Sequence, residues 1–235
     1  MQQTPPKQWE RKIAPQNELM QAMGEGLVNY ADLPKPDGNP DETIAPTRTE
    51  ALNCRKCHLC ESRKNVAFGE GDLKTDLVFV GEAPGRDEDL QGRPFVGPAG
   101  KLLTDMIEKG MKRPRESVYI CNILKCRPPN NRDPLPEEIS CCVPYLYAQL
   151  NLIRPKLIIA VGRISAQLLT GTRLSMKGLR GRMMQHRGLP VLPIYHPAYL
   201  LRARQQAGGP EKRTEEDRET WMDLQSAMRF LAENR

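Results

Sequence analysis

The sequence has 235 residues, of which 39% are apolar and 27% are charged. These values are ordinary for a soluble globular protein with one domain, or with a domain and an appendage. No stretch approaches the roughly 18 apolar residues of a membrane-spanning helix, and the N-terminus lacks the apolar core of a secretory signal. We therefore expect no membrane association and a cytoplasmic protein, nucleoid-associated if its source is bacterial.

The net charge of +6 is distributed unevenly along the chain. Residues 1–50 carry 5 basic and 8 acidic side chains, whereas the remaining residues carry a net charge of +9. A basic body with an acidic, polar extension suits a domain that binds a polyanion. The charge alone fits a basic protein without such a partner as well.

Residues 1–50 also differ from the rest in pattern, with seven prolines and no sustained apolar periodicity. We expect at most one short helix there, over residues 17–30, and a linker over residues 32–46. From about residue 51 onward, short apolar runs alternate with helical patterns. We therefore predict a Pro-rich, flexible N-terminal extension at residues 1–50 and a single domain at residues 51–235.

The apolar runs are short and rich in β-branched residues, which is typical of buried parallel strands. They lie at residues 77–81, 118–122, 157–161 and 191–195. Helical patterns lie at residues 102–110, 137–153, 164–169 and 215–232. The alternation predicts an α/β fold with three layers, α/β/α, around a central four-stranded, mainly parallel sheet. Ligands bind beyond the carboxyl ends of such strands, which here carry Gly81, Asn122 and His196.

The cysteines are odd in number, and in a reducing compartment they do not favour a disulfide framework. Cys54 and Cys57 form a CxxC pair before the first predicted strand, and Cys126 follows the second one. Two ligands on a tight turn and two from a distant segment can enclose a zinc ion or an iron–sulfur cluster, and the spacing does not choose between them. The competing ligands are His58 and Cys60 and, for the fourth position, Cys141 and Cys142.

Glycines and prolines are concentrated after the first predicted strand, in GEAPGRDED at residues 81–89 and GRPFVGPAG at residues 92–100. Such segments let a backbone approach a ligand closely and offer amide donors to it. The four carboxylates of the first segment argue against a phosphate cradle, and no Walker motif is present. On its own, this segment fits a solvated acidic loop equally well. HPAYLLR at residues 196–202 on its own fits a capping histidine beside core leucines.

Four ordered motifs resemble those of the family 4, iron–sulfur-containing uracil-DNA glycosylases. They are GEAPG at residues 81–85, GRPFVG at 92–97, NILKCRPP at 122–129 and HPAYLL at 196–201. The resemblance extends from about residue 52 to residue 230. It implies a DNA repair enzyme that flips deoxyuridine out of double- or single-stranded DNA, hydrolyses the N-glycosidic bond and leaves an abasic site.

The resemblance also implies a role for each matched residue. Phe95 would stack on the uracil ring, and the Asn122 amide would accept from N3–H and donate to O4, an orientation that rejects cytosine. His196 would donate a hydrogen bond to the uracil O2, where negative charge develops. Backbone amides of residues 82–85 would assist, and the uracil contacts there are Glu82, Ala83 and Gly85.

Two further roles concern DNA and water. Leu200 or Leu201 would act as a wedge that fills the vacated stack, with Arg202 near a phosphate. Glu82 is expected to activate the water, with Glu88 or a water held by Asn122 as alternatives. These alternatives stay open because Ala83 stands where the best-known branch of the superfamily has an aspartate.

The resemblance finally implies a cofactor. Cys54, Cys57, Cys126 and Cys142 fall at the positions that bind a [4Fe–4S] cluster, and the Pro-Leu-Pro of residues 134–136 puts Cys142 in register. The expected role of the cluster is structural, because it would tie the segment before the first strand to the loop after the second.

Other functions stay open on the sequence. One is a non-catalytic, zinc-ribbon-like nucleic-acid-binding protein on the same fold, and another is a glycosylase for a different damaged base. A branch that traps uracil-DNA covalently has a histidine-bearing insertion, which residues 127–134 lack. A phosphohydrolase with Asp87, Glu88 and Asp89 as metal ligands would leave Phe95 and Asn122 without a task. We expect a monomer, with residues 1–50 available to recruit a repair or replication protein.

Overall fold

The computed structural model describes residues 29–30 and 36–234. Its strands are β1 (Glu70–Gly71), β2 (Leu77–Gly81), β3 (Tyr119–Asn122), β4 (Leu157–Val161), β5 (Met184–His186) and β6 (Leu189–Ile194). Its α-helices are α1 (Pro40–Leu52), α2 (Leu59–Ser62), α3 (Arg86–Gln91), α4 (Pro98–Asp105), α5 (Pro136–Ile153), α6 (Arg163–Thr170), α7 (Met176–Leu179), α8 (Pro197–Gln206) and α9 (Glu215–Glu233). A π-helical turn, Met106–Gly110, continues α4.

The described strands form one sheet in the order β1-β3-β2-β4-β6-β5. The four central strands are parallel, whereas β1 and β5 pair antiparallel at the two edges. The central strands are the four that the apolar runs predict, which confirms an α/β fold with a mainly parallel sheet. The two edge strands enlarge the four-stranded sheet expected from the sequence, because strands of two and three residues leave no readable pattern.

The central strands are buried on both faces, so alternate residues belong to different cores. Val78 and Val80 of β2 pack on one face with residues of α5 and α6. Leu77 and Phe79 pack on the other face with residues of α4 and α9. Helices therefore cover both faces, which gives the three layers that the sequence predicts.

The helical patterns of the domain correspond to observed helices, with ends that differ by at most one residue except at the start of α4, which lies four residues before the predicted one. The predicted helices at residues 137–153, 164–169 and 215–232 are α5, α6 and α9, and α4 with its π turn ends at Gly110. None of the described helices combines the length and the apolar sequence that crossing a bilayer requires.

Helix α1 differs from the expectation, because its first residues belong to the predicted linker at residues 32–46. Asn39 caps the helix by accepting the Asp41 N–H at 3.1 Å, and Pro40 occupies the first turn, where a missing N–H is harmless. Ile44 and Ala51 are buried, and α1 packs against α5. The linker prediction is therefore wrong from Pro40 onward.

The N-terminal extension is described only in part. The helix predicted at residues 17–30 lies outside the described residues except for its last two. Of these, Tyr30 is buried, and its N–H donates to the Arg187 carbonyl at 3.0 Å. The division of the chain at residue 50 stays a prediction.

Candidate active site

A cleft of about 880 Å³ opens at the carboxyl ends of the parallel strands, where ligands bind in sheets of this kind. The segments that line it follow β2, β3, β4 and β6. The uracil contacts proposed from the sequence all line this cleft: Glu82, Ala83, Gly85, Phe95, Asn122 and His196. The fold therefore brings together residues that lie more than 100 positions apart in the sequence, while their individual roles stay predictions.

Asn122 is the last residue of β3 and lies in the wall of the cleft. The residue is 1% exposed, and its Oδ1 has no hydrogen-bond partner among the described residues. A buried amide oxygen left in this state costs about 1–3 kcal/mol. Asn122 therefore presents an acceptor that a donor from outside the chain would satisfy.

Gly81, which pairs with Asn122 across the sheet, makes room for this side chain. A Cβ at residue 81 would lie 2.3 Å from Asn122 Oδ1 and 2.5 Å from Phe95 Cζ. Both distances are shorter than van der Waals contact, so only glycine lets the amide and the phenyl ring approach each other here.

Phe95 is held in place by its own segment. Its φ of +53° lies in the left-handed region, which is uncommon for a residue with a bulky side chain. Glu88 Oε1 accepts the N–H groups of Val96 at 2.8 Å and Gly97 at 2.9 Å, and its Oε2 accepts the N–H of Gly85 at 3.1 Å. One carboxylate therefore fixes both loops that line this side of the cleft.

His196 lies next to Phe95 in the cleft, with the two ring centroids 5.8 Å apart. Its Nδ1 accepts the N–H of Ala198 at 3.1 Å as the cap of α8, so the proton of the neutral ring is on Nε2. Burial, together with the nearby charge of Arg202, lowers the pKa of His196 to about 4. At neutral pH the ring is therefore an uncharged donor.

The acidic residues after β2 point in different directions. Glu82 lines the cleft. Both oxygens of Glu88 already accept backbone N–H groups, which argues against Glu88 as the water-activating group. Asp89 Oδ1 accepts from the N–H groups of Lys64 at 2.9 Å and Asn65 at 3.3 Å, away from Glu88. These contacts do not support the phosphohydrolase alternative. Among the described residues, no three His, Cys, Asp or Glu side chains, cysteines included, lie close enough together to hold a metal ion as they stand.

A second, much smaller cavity lies between α1, α2, α5 and the segment after β3. We call it the cysteine pocket, and the cysteines that line it are Cys54, Cys57, Cys126, Cys141 and Cys142. An Arg63 N–H donates to Cys126 Sγ at 3.3 Å, and the backbone N–H of Lys125 donates to Cys142 Sγ at 3.2 Å. The four predicted ligands therefore surround one pocket, and two of them receive donors suited to negatively charged sulfur.

The competing ligands are arranged differently. His58 Nε2 lies 2.9 Å from Glu138 Oε1, and neither His58 nor Cys60 lines the pocket. Cys141 Sγ donates to the Lys56 carbonyl at 3.3 Å. Burial raises the pKa of the Cys142 thiol to about 12, so a cation would be needed to keep it a thiolate at neutral pH.

Lys125 lies between the two sites and is 1% exposed. Its Nζ donates to the Asn122 carbonyl and to Gln149 Oε1, both at 2.7 Å. Lys125 is not among the residues predicted from the sequence, although its place between Asn122 and Cys126 in the NILKC motif indicates a role near both sites.

Helix α8 carries the residues that are expected to contact DNA. Leu200 is 2% exposed in this arrangement, and its role as a wedge stays a prediction. Leu201 is half-buried and does not line the cleft, whereas Arg202 does. Tyr199 also lines the cleft and is 38% exposed, and the sequence analysis missed it.

Basic residues of the cleft were missed as well. Arg163 lies at the start of α6, directly after β4, and Lys177 lies on α7. Arg163 was detectable in principle, because it follows the third predicted strand. Lys177 had no such signal, because α7 is too short to produce a helical pattern.

Comparison with known proteins agrees with this geometry. Residues 68–225 match the uracil DNA glycosylase superfamily. The type-4 uracil-DNA glycosylase of Archaeoglobus fulgidus is 48% identical over 169 residues, which cover 68% of this chain and 84% of the relative. That of Thermotoga maritima is 49% identical over 167 residues, covering 70% and 86%. A type-5 uracil-DNA glycosylase of Pyrobaculum aerophilum is 30% identical over 148 residues, covering 55% and 64%. The chain therefore belongs to the uracil-DNA glycosylase superfamily and, at this level of identity, to its type-4 group.

Proposed function

We propose that this protein removes uracil from DNA by hydrolysing the N-glycosidic bond of a deoxyuridine that has been flipped into the cleft. The products are free uracil and an abasic site. The observation that carries the proposal is the buried Asn122 Oδ1, which has no donor among the described residues and lies beside Phe95 in the cleft. Uracil supplies that donor with N3–H, and its O4 accepts from the amide NH2.

The Asn122 amide also explains how the enzyme would discriminate uracil from cytosine. Cytosine has an acceptor at N3 and an amino group at C4, so it would face the Asn122 amide with both polarities reversed. Each buried group left unpaired in this way weakens binding by about 1–3 kcal/mol. Phe95 supports this discrimination. Its ring is held in place by the backbone, so a base that stacks on it is held in one plane beside the Asn122 amide.

Cleavage leaves positive charge on the sugar and negative charge on uracil. We infer that the Nε2–H of neutral His196, which lines the cleft, donates to O2 and stabilises the charge there. Loss of one such donor typically lowers the rate by on the order of 10²–10³-fold. The Gly85 N–H is not available for this role, because it donates to Glu88 Oε2. Glu82 is our choice for orienting the attacking water, because it lines the cleft directly after β2.

We further propose that Cys54, Cys57, Cys126 and Cys142 bind a [4Fe–4S] cluster. The support is the donor set of thiols around one pocket and the N–H groups aimed at two of the sulfurs. The cluster would supply a structural cross-link and not take part in the cleavage. Iron and sulfide analysis of protein purified without oxygen tests this proposal, and stoichiometric zinc in place of iron would contradict it.

The proposal also covers the substrate, the oligomeric state and the location of the enzyme. Uracil-containing DNA is the proposed substrate, and a monomer in the cytoplasm is the proposed form. Light scattering on the purified full chain tests the monomer, and a dimer at micromolar concentration would rule it out.

The decisive experiment uses purified protein and an oligonucleotide with one uracil, followed by alkaline cleavage at abasic sites. We expect cleavage at the uracil position and none in a control strand with thymine or cytosine there. Asn122→Ala and His196→Ala should each remove most of this activity. An intact uracil strand at high enzyme concentration would reject the proposal and favour a non-catalytic nucleic-acid-binding protein.

A further inference from the structure

Helix α8 presents three side chains to the cleft at intervals of three residues. His196 caps the helix, and Tyr199 and Arg202 follow on the same side, because helical residues three apart are neighbours on one face. All three line the cleft. The face therefore carries in order a hydrogen-bond donor, an aromatic ring and a guanidinium group.

Tyr199 is supported on one side and open on the other. Its ring centroid lies 5.1 Å from that of Tyr195, which is only 7% exposed and thus fixed in the fold. Its hydroxyl donates to Glu216 Oε1 at 3.3 Å. With 38% of the residue still exposed, the ring has free surface at the rim of the cleft.

The neighbouring leucines are poor candidates for contact with DNA bases. Leu200 is packed in the interior, and exposing it would leave a cavity behind. Leu201 does not line the cleft. Tyr199 is therefore the apolar side chain of this helix that is placed to meet a base beside the pocket.

Extrusion of a nucleotide exposes the faces of the bases on either side of it. An aromatic side chain covers such a face well, and its contribution does not depend on which base is present. We propose that Tyr199 stacks on a base that flanks the extruded deoxyuridine, the role that the sequence assigns to a leucine. This inference rests on the proposed function.

The inference predicts a dependence on DNA structure. In a duplex, extrusion disrupts ordered stacking on both sides, so a stacking ring compensates a large loss. A flexible single strand has less stacking to lose, so the ring matters less there. Arg202, which follows one turn later, would hold a phosphate equally in both substrates.

The experiment compares kcat/KM on one uracil-containing sequence as a duplex and as a single strand. We expect Tyr199→Ala to lower the duplex value about 10- to 100-fold and the single-strand value by less than about threefold. Tyr199→Phe keeps the ring and should retain both values, and Leu201→Ala tests the leucine that the sequence offers as the wedge. Tyr199→Gln, which keeps bulk without a ring, gives the same comparison if the alanine variant does not fold.

Two results would overturn the inference: an equal loss on both substrates for Tyr199→Ala, or a duplex-specific loss for Leu201→Ala. A wild-type protein that cleaves neither substrate would instead reject the proposed function. A fluorescent adenine analogue next to the uracil adds an independent measurement, because a stacked Tyr199 should quench it in wild type and in Tyr199→Phe but not in Tyr199→Ala.

Discussion

The cleft and the cysteine pocket lie on opposite ends of the short segment 122–126, yet they are built on different principles. The cleft has a volume of about 880 Å³, and its buried Asn122 Oδ1 has no donor among the described residues. The cysteine pocket has about 10 Å³ of free space, and the sulfurs of Cys126 and Cys142 already receive N–H donors. The buried Asn122 oxygen thus lowers the stability of the folded protein but is available to a ligand, whereas the contacts of the cysteine pocket stabilise the fold. Activity and stability should therefore separate between the two regions.

The largest expected effect is that of Asn122→Ala on activity. We expect the uracil excision rate to fall by about 10³-fold, because base recognition and orientation are both lost. The free energy of unfolding should not decrease, since the amide oxygen that is removed has no partner among the described residues and its burial costs about 1–3 kcal/mol. Single-turnover kinetics and urea unfolding measure the two quantities. An Asn122→Ala protein that is markedly destabilised but still active would contradict the expected separation of activity from stability.

Substitution in the cysteine pocket should lower stability, whereas Asn122→Ala lowers activity. We expect Cys142→Ser to lose most of the bound iron and to lower Tm by about 5–10 °C, which corresponds to about 2–3 kcal/mol for a chain of this length. Cys141→Ser is the matched control, because its sulfur contacts the Lys56 carbonyl, and it should keep iron and Tm. Equal loss of iron from both variants would contradict the assignment of Cys142.

Lys125 tests whether the two regions are coupled. Lys125→Met leaves the Asn122 carbonyl and Gln149 Oε1 without their donor, at a cost of about 2–4 kcal/mol in unfolding free energy. We also expect a lower excision rate, because Asn122 loses an anchor. Lys156→Met, at an exposed lysine, is the control and should change neither quantity. A Lys125→Met protein with wild-type kinetics would show that the regions are independent.

The last expected effect is that of pH on stability. Burial lowers the pKa of His196, in the cleft, and of His186, in the fold, from 6.5 to about 4. Between these values the unfolded chain binds protons that the folded chain does not, so stability falls as pH decreases from 6.5 to 4. His196→Gln should make this decrease shallower in thermal unfolding scans. An unchanged slope would mean that His196 does not contribute.

The strength of the local pattern decided how much of this arrangement could be predicted from the sequence. Residues 157–161 are apolar throughout and bounded by polar residues, so a buried strand was readable there. The prolines around Pro40 favour a linker, whereas Asn39 before it is a helix-capping residue and proline is favoured in a first turn, so the local pattern is ambiguous there. Which of the side chains at residues 199–201 is exposed depends on the register of the helix, and His196 sets this register as the N-cap. That register is a property of the tertiary structure.

The lack of space at Gly81 has a consequence for how this enzyme could be silenced. Its backbone is in an ordinary strand conformation, so alanine would fit the chain and conflict only with the Asn122 and Phe95 side chains. We expect Gly81→Ala to displace the Asn122 and Phe95 side chains from their positions in the cleft, while the basic surface of the protein stays intact. A gel-shift assay should show wild-type binding to DNA, with no uracil released. One methyl group would then separate a repair enzyme from a protein that only occupies DNA.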